Sequence, residues 1–326
     1  MSILTARFRR RPSSRMRRLL PEALESRQLL SGLRYEIGSP NVVDVWIDPT
    51  HGSDANSGSS RITPLRSVNA AWDLVPQGTT LGTGFRLNLM AGRYGEDVFP
   101  IWMDGRRGTA DAPVILRAAD GPGTVEVPAF QVNHCSFIYL VGLYAQAGGD
   151  DVLHVAGSDH ILIRDTRLVG TGTGYNRPQE SLKVNQTQYL FVENCDISGA
   201  WGNALDCVSV QYGWIVDSRI HDAEDWVMYL KGGSAYIHVE GNEIYGGGTG
   251  GFSAGQGTGF EYMVAPWLHY ECYGITVVNN VIHDTEGAGL GVNGSYNVLM
   301  AGNTLYRVGR RSHAIEVVQG ARGCDG

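Results

Sequence analysis

Lysine is almost missing from this 326-residue chain. Lys183 and Lys231 are the only two in a basic total of 26, set against 33 acidic residues and a net charge of −7. The arginines cluster at the head: residues 1–34 hold nine of them against Glu22 and Glu25, a local charge of +7 that leaves −14 on the remainder. The acidic body argues against nucleic acid as a partner, because phosphate binding needs clustered cationic side chains. Cysteine is scarce too. The five residues Cys135, Cys195, Cys207, Cys272 and Cys324 show no metal-ligand spacing, and an odd number cannot all pair internally. They read as small buried side chains, with Cys195 and Cys207 as the one plausible disulfide. Long apolar runs are absent, so no membrane span is expected, and the head lacks the apolar stretch of an ordinary secretory peptide.

Glycine is abundant. Its 44 residues are about twice the usual share of roughly 7%, while charged residues fall to 18% and hydrophobic ones reach 43%. The backbone therefore turns often around enough apolar material for a core. Beyond Pro113 the chain repeats itself. The segments ending at Leu168, Ile197, Ile220, Ile244, Ile282 and Leu305 align on that last apolar residue, with spacings of 29, 23, 24, 38 and 23 residues. Such a period suits one turn of a parallel solenoid, whose coils stack about 4.8 Å apart, and is too short for a propeller blade of about 40 residues. Asn242, Asn280 and Asn303 fall two places before the aligned residue and are expected to stack as an amide ladder. Tyr189, Tyr212 and Tyr236 fall eight places before it, with Tyr296 at nine. The expected fold is all-β: a single-stranded right-handed parallel β-helix (solenoid) with a short N-terminal capping helix.

Three segments are distinguished along the chain. Residues 1–40 read as a basic, disordered export segment. Residues 41–112 read as an opening module in which Thr63 caps a helix with Pro64 at its first position. Leu65, Val68, Trp72 and Val75 share one face of that helix, expected over about 63–75. Residues 113–326 read as coils. Within them, about 246–274 form an insertion that is glycine-rich and then dense in aromatics, including Phe252, Phe260, Tyr262, Trp267, His269, Tyr270 and Tyr273. A long loop leaving a regular scaffold is often functional. The chain stops at Gly326 directly after a strand-like run, which suggests a truncated solenoid. A monomer is expected.

Three resemblances add to this reading. Leu24 to Ser31 resembles the LEPR-XLL segment of large exported proteins of planctomycete-type bacteria, with Ser26 where that pattern has Pro, and implies an extracellular or cell-surface location. Val43 to Tyr94 resembles the opening of bacterial pectate-lyase-like β-helix proteins, through its Asp48-Pro49 loop, its Ala70-Ala71-Trp72 helix and its Gly92-Arg93-Tyr94 end. Asp225-Trp226-Val227-Met228-Tyr229-Leu230-Lys231 resembles the catalytic-lysine stretch of family 9 pectate lyases, with Val227 standing where that family has Asp. This last resemblance implies that Lys231 removes the proton beside a uronate carboxylate while Ca²⁺ neutralises the acid, so that β-elimination proceeds.

The chemistry-bearing residues gather around that lysine. Counting back six places from the tyrosine column aligns Lys183, Asp206 and Leu230, with Lys231 one step on, so Lys231, Asp206 and Lys183 are the catalytic candidates. On strand alternation Lys231 shares a face with Asp206 only if a bulge intervenes, which Gly232-Gly233 would permit. Trp226, Tyr229, Tyr262, Trp267, His269 and Tyr270 are candidates for gripping sugar rings. The copies Ile220-His221-Asp222-Ala223-Glu224 and Ile282-His283-Asp284-Thr285-Glu286 lie two coils apart, too far to share one ion bound at about 2.4 Å. Asp222, Glu224 and Asp225 are therefore a possible Ca²⁺ set by themselves, while plain turn chemistry also explains them. His269, Glu261 and Glu271 in the insertion complete the acid/base candidates. The leading function is a lyase cutting an acidic polysaccharide by β-elimination. The alternatives are a glycoside hydrolase using Asp206 and Asp225, or a non-catalytic glycan-binding surface module.

Overall fold

In the computed structural model, which describes residues 34–265 and 269–320, three parallel sheets of ten, nine and nine strands run the length of the molecule. The chain visits them in rotation, as in Ser136–Val141, Leu143–Ala147 and Leu153–Ala156, and each strand pairs with its counterpart one coil on. This is the expected right-handed parallel β-helix. Its interior is a set of apolar columns, such as Leu140, Ile163, Val192, Ile215 and Val239, which pair in sequence through the first sheet and are fully buried. Stacking like side chains buries each against the next at nearly the full value of a core aliphatic, about 1.5–3 kcal/mol.

The corner between the first and second sheets shows why the repeat reads as it does. The residue three places before the aligned apolar position is Asp165, Asn194, Asp217 or Asn279, each with φ between 50° and 57°, or a glycine. That left-handed conformation favours Asn, Asp and Gly. The next residue faces inward and forms the expected amide ladder. Asn242 Nδ2 donates to Asn280 Oδ1 at 3.0 Å, and Asn280 Nδ2 donates to Asn303 Oδ1 at 2.9 Å. The ladder continues beyond asparagine, for Ser218 N donates to Asn242 Oδ1 and Cys195 N to Ser218 Oγ. These side chains satisfy backbone groups that the turn removes from the sheets.

Several expectations are corrected. The helix spans only Val68–Asp73 and is capped by Ser67, whose side chain accepts from Ala70 N. Thr63 does not start it because Leu65 is used elsewhere: its N–H donates to Trp46 O and its carbonyl accepts from Asp48 N. That extended stretch covers the edge of the first strand, Val42–Ile47, while Leu65, Val68, Trp72 and Val75 are buried as expected. Residues 42–47 and 84–89 already belong to the first sheet, so the coils begin well before Pro113. The segment expected to be disordered as far as residue 40 is ordered from Arg34. Tyr35 stacks on Phe191 at 4.5 Å and its hydroxyl meets that of Tyr139 at 2.8 Å. The remainder of the head, with its LEPR-XLL resemblance, lies outside the described residues, as does Cys324.

Cys135, Cys195, Cys207 and Cys272 are buried free thiols, and Cys195 and Cys207 form no disulfide. Cys207 stacks between Val184 and Leu230 in the third sheet, whereas Cys195 occupies the corner ladder on another side of the coil. The aromatic column holds Tyr189, Tyr212 and Tyr236, stacked at 5.1 and 5.3 Å, and extends backward to His160 and Phe137. Tyr296 is not part of it, for it pairs with Tyr273 and its ring stacks on Tyr270.

Asn280 is the ladder's most heavily used member, accepting from Asn242 and donating to Val239 O, Val278 O and Asn303. Asn280→Ala is expected to cost about 1–3 kcal/mol for each buried group left unpaired, read as a lower urea midpoint. An unchanged midpoint would show that the ladder does not pin the coils.

Candidate functional site

The outward positions of the third sheet bring the two lysines together. Glu180–Asn185, Asn203–Val208 and Trp226–Lys231 are adjacent strands, and the register sets Lys183 beside Asp206, Asp206 beside Tyr229 and Val208 beside Lys231. Tyr229, not Leu230, therefore continues the column, and Lys231 lies on the outer face by simple alternation. Leu230 points into the core. The extra residue implied by the tyrosine spacing is absorbed after the strand, at the Gly232-Gly233 corner, where both glycines have positive φ.

Asp206 is completely buried between the two ammonium groups. Lys183 Nζ donates to its Oδ2 at 2.6 Å, and Lys231 Nζ lies 3.1 Å from its Oδ1. The second contact is electrostatic only, because Oδ1 has no hydrogen bond of acceptable geometry. Lys231 instead donates to Gln256 Oε1 at 3.0 Å and lies 4.8 Å from the centre of the Tyr229 ring. Glu180 Oε1 is 3.4 Å from Lys183 Nζ.

These contacts shape the local proton affinities. Burial disfavours the Lys183 ammonium, but Asp206 and Glu180 more than compensate, so its pKa is raised and it stays cationic. Burial pushes the Glu180 carboxyl up to about 8, helped by Asp206 and Asp151 and opposed by Lys183, which leaves it largely protonated at neutral pH. His154, paired with Lys183 one coil back, has its pKa lowered by burial; Asp151 opposes that shift and the Lys183 charge adds to it. It is a neutral imidazole at pH 7. Sequence reasoning missed both His154 and Glu180. The strand pattern Leu153-His154-Val155, one coil ahead of Lys183, was the available signal for the histidine.

A cavity of about 610 Å³ opens above this cluster, lined by His154, Lys183, Asn185, Lys231, Glu261 and Tyr262 among others. Its far wall comes from the insertion, which is shorter than expected. Gly250–Ala254 is an ordinary strand of the third sheet, and the loop proper follows it up to Cys272. Glu271 is no acid/base group. It is buried, and its carboxylate accepts from Gly232 N, Thr258 N and Thr258 Oγ1, which tie the loop to the corner behind Lys231.

The aromatic candidates separate. Tyr262 is exposed and lines the cavity. Trp226 and Tyr229 do not serve as stacking platforms, for they are 7% and 3% exposed. The Trp226 ring lies flat over Gly250, where a Cβ would approach it to 2.5 Å. Tyr270 and His269 lie in the loop but away from the cavity lining, with Tyr270 against Tyr296 and His269 near Phe260. Trp267 is outside the described residues.

Asp222, Glu224 and Asp225 are not drawn together. Asp222 bonds His221 Nδ1 at 2.9 Å and Glu224 lies 3.7 Å from Arg177. Among the described residues no three His, Cys, Asp or Glu side chains are grouped as a metal ion needs. A depression of about 750 Å³ along the opposite corner is lined by Arg177, Asp222, Glu224, Asp284, Glu286 and Arg311. Its charges are largely spent on one another, as in Arg311 with Glu286 at 3.1 Å.

Raising pH separates the buried Glu180 from its unfolded counterpart. Below the ordinary value of 4.5 both forms are protonated; above it the unfolded carboxyl ionises first, so stability falls as pH rises from there through about 8. Glu180→Gln is expected to flatten this decline, and thermal melts from pH 4 to 9 would check it. A wild-type slope retained by the variant would contradict the burial argument.

No curated protein sequence matches the chain. Among solved structures it is similar to the pectate lyase Pel9A, with a TM-score of 0.60, 15% identity and coverage of 83% of this chain and 78% of that one. A rhamnogalacturonan lyase gives a TM-score of 0.54 at 14% identity, covering 83% and 75%. An alginate lyase from Paenibacillus sp. str. FPU-7 gives 0.53 at 14% identity, covering 78% and 96%. At these identities the likeness concerns the fold. The sequence family described as a right-handed beta helix region matches residues 151–325, more than half of the chain, and the protein belongs to that family.

Proposed function

We propose that this protein is a carbohydrate-active enzyme that cleaves an acidic polysaccharide by β-elimination. One observation carries the reading: both lysines of the chain converge on one buried carboxylate, on the floor of a cavity that also holds a neutral histidine. The solved polysaccharide lyases of the same fold support it as analogy.

The chemistry follows from charge. A proton on the carbon beside a uronate carboxylate is removable only if the developing enolate charge is offset. Lys183, held cationic and pointing into the cavity, supplies that offset. Lys231, which the resemblance aligns with the catalytic lysine of family 9 pectate lyases, first releases its own proton to solvent and then takes the substrate proton as the free amine. The electron pair forms the new double bond, the glycosidic C–O bond breaks, and the leaving oxygen is protonated by the Tyr262 hydroxyl or by water. A second reading rests on the lowered pKa of His154: the imidazole is the base and both lysines face the carboxylate. Calcium enters neither version, because the residues described around the cavity do not form a cradle for it.

The hydrolase alternative is not favoured, since Asp206 is sealed beneath the lysines and is not presented as a nucleophile.

The test is to incubate the protein with pectate, alginate and chondroitin and follow the ultraviolet absorbance of unsaturated uronate ends. Loss of Lys231 or Lys183 is expected to lower the rate at least about 100-fold, with activity retained in EDTA. A pH profile whose base limb lies below the ordinary histidine value, and is abolished in His154→Ala, would select the imidazole. New reducing ends without that absorbance would replace the lyase by a hydrolase, and binding with neither would leave a glycan-binding module.

A further inference from the structure

The column that holds His154 and Lys183 continues away from the insertion and ends on an exposed tryptophan. Register pairs Lys183 with His154, His154 with Gln131 and Gln131 with Trp102. Trp102 is in the edge strand Trp102–Asp104 of the third sheet, where Met103 fills the core and Trp102 alternates outward. It is 59% exposed, whereas Trp72 and Trp226 are buried. Three coil steps separate it from Lys183, about 14 Å at the usual strand separation.

Between the two lies a polar strip. Gln131 and Asn133 face outward on the intervening strand, and Asn133 Nδ2 donates to Asp104 Oδ1 at 3.0 Å beside the tryptophan. A surface made of amides and a carboxylate with one exposed indole is matched to a sugar chain: the polar groups meet hydroxyls and the ring covers the apolar face of a pyranose. A linked pyranose advances along its chain by about one strand separation, so successive rings keep step with successive coils.

We propose that Trp102 forms a remote sugar-binding subsite, stacking on a pyranose of the polysaccharide about three units from the residue held at Lys183. The chain thus runs along the axis of the third sheet, from the lysine pair toward the N-terminal coils. The inference rests on the placement of an acidic glycan at the lysine cavity and adds where the rest of that glycan lies. Trp102 touches no reacting group, so its contribution is to binding, and only for chains long enough to reach it.

The experiment is calorimetric titration, in the cold so that turnover is negligible, of wild type and Trp102→Ala with oligogalacturonates and oligomannuronates of increasing length from disaccharide to hexasaccharide. In the wild type, affinity is expected to step up once the oligomer spans the three coils. In Trp102→Ala that step is lost, by up to about tenfold, while the shortest oligomers bind as before, and Trp102→Phe restores most of it. Equal length dependence in wild type and Trp102→Ala overturns the subsite and leaves the lysine site standing. Weakening of the shortest oligomers by the same factor also overturns it, because the effect is then not length-specific. Failure of the wild type to bind any length overturns the acidic-glycan reading itself and the subsite with it.

Discussion

Everything in this molecule depends on parallel coils keeping register over ten strands of one sheet and nine of each of the others. Backbone hydrogen bonds between coils do not by themselves set that register, since a strand slipped by one residue bonds equally well but turns every side chain to the other face. The inward columns and the corner ladder supply the discrimination. Asn242, Asn280 and Asn303 bond to one another and to the turn backbone in a single phase, and a slipped coil would leave those groups unpaired in the core. The positive-φ residue preceding each ladder member fixes where the chain bends.

The same register makes a chemical site out of residues remote in sequence. Lys183, Asp206 and Lys231 come from three consecutive coils, and their ammonium and carboxylate groups meet within 2.6 to 3.1 Å. Asp206, buried between the two lysines, orients both. The surrounding groups then divide by protonation state, with Lys183 cationic, Glu180 mostly neutral and His154 neutral. Charged and neutral groups are thus divided among different side chains of one small cavity, a division that the proposed general acid–base chemistry on a uronate would use.

Much of the scaffold was legible beforehand because it is periodic. Six aligned segments disclosed the coil length, the Asn column and the tyrosine column, and the rarity of lysine drew attention to positions 183 and 231. Local deviations were harder to read. A helix signal began at Thr63, but the backbone of Leu65 is engaged by the edge strand, which delays the helix to Val68. Trp226 and Tyr229 looked like sugar platforms because aromatic side chains with a polar edge suit both roles; the small residues Gly250 and Gly291 in the next two coils let the indole lie down instead. Trp102, by contrast, sits in no repeated motif and became visible only through its pairing and exposure.

The sequence by itself determined the repeat, the inward columns and the corner residues, because each rests on neighbours within one coil or on a pattern that recurs. Only the tertiary structure decided which face Lys231 takes, that Cys195 and Cys207 are far from bonding, and that His154 and Glu180 flank the lysine pair. The reason is physical. Periodicity states that coils stack, but side-chain environment depends on the exact offset between them, and a single extra residue at a glycine corner shifts that offset without disturbing the pattern that announces the fold.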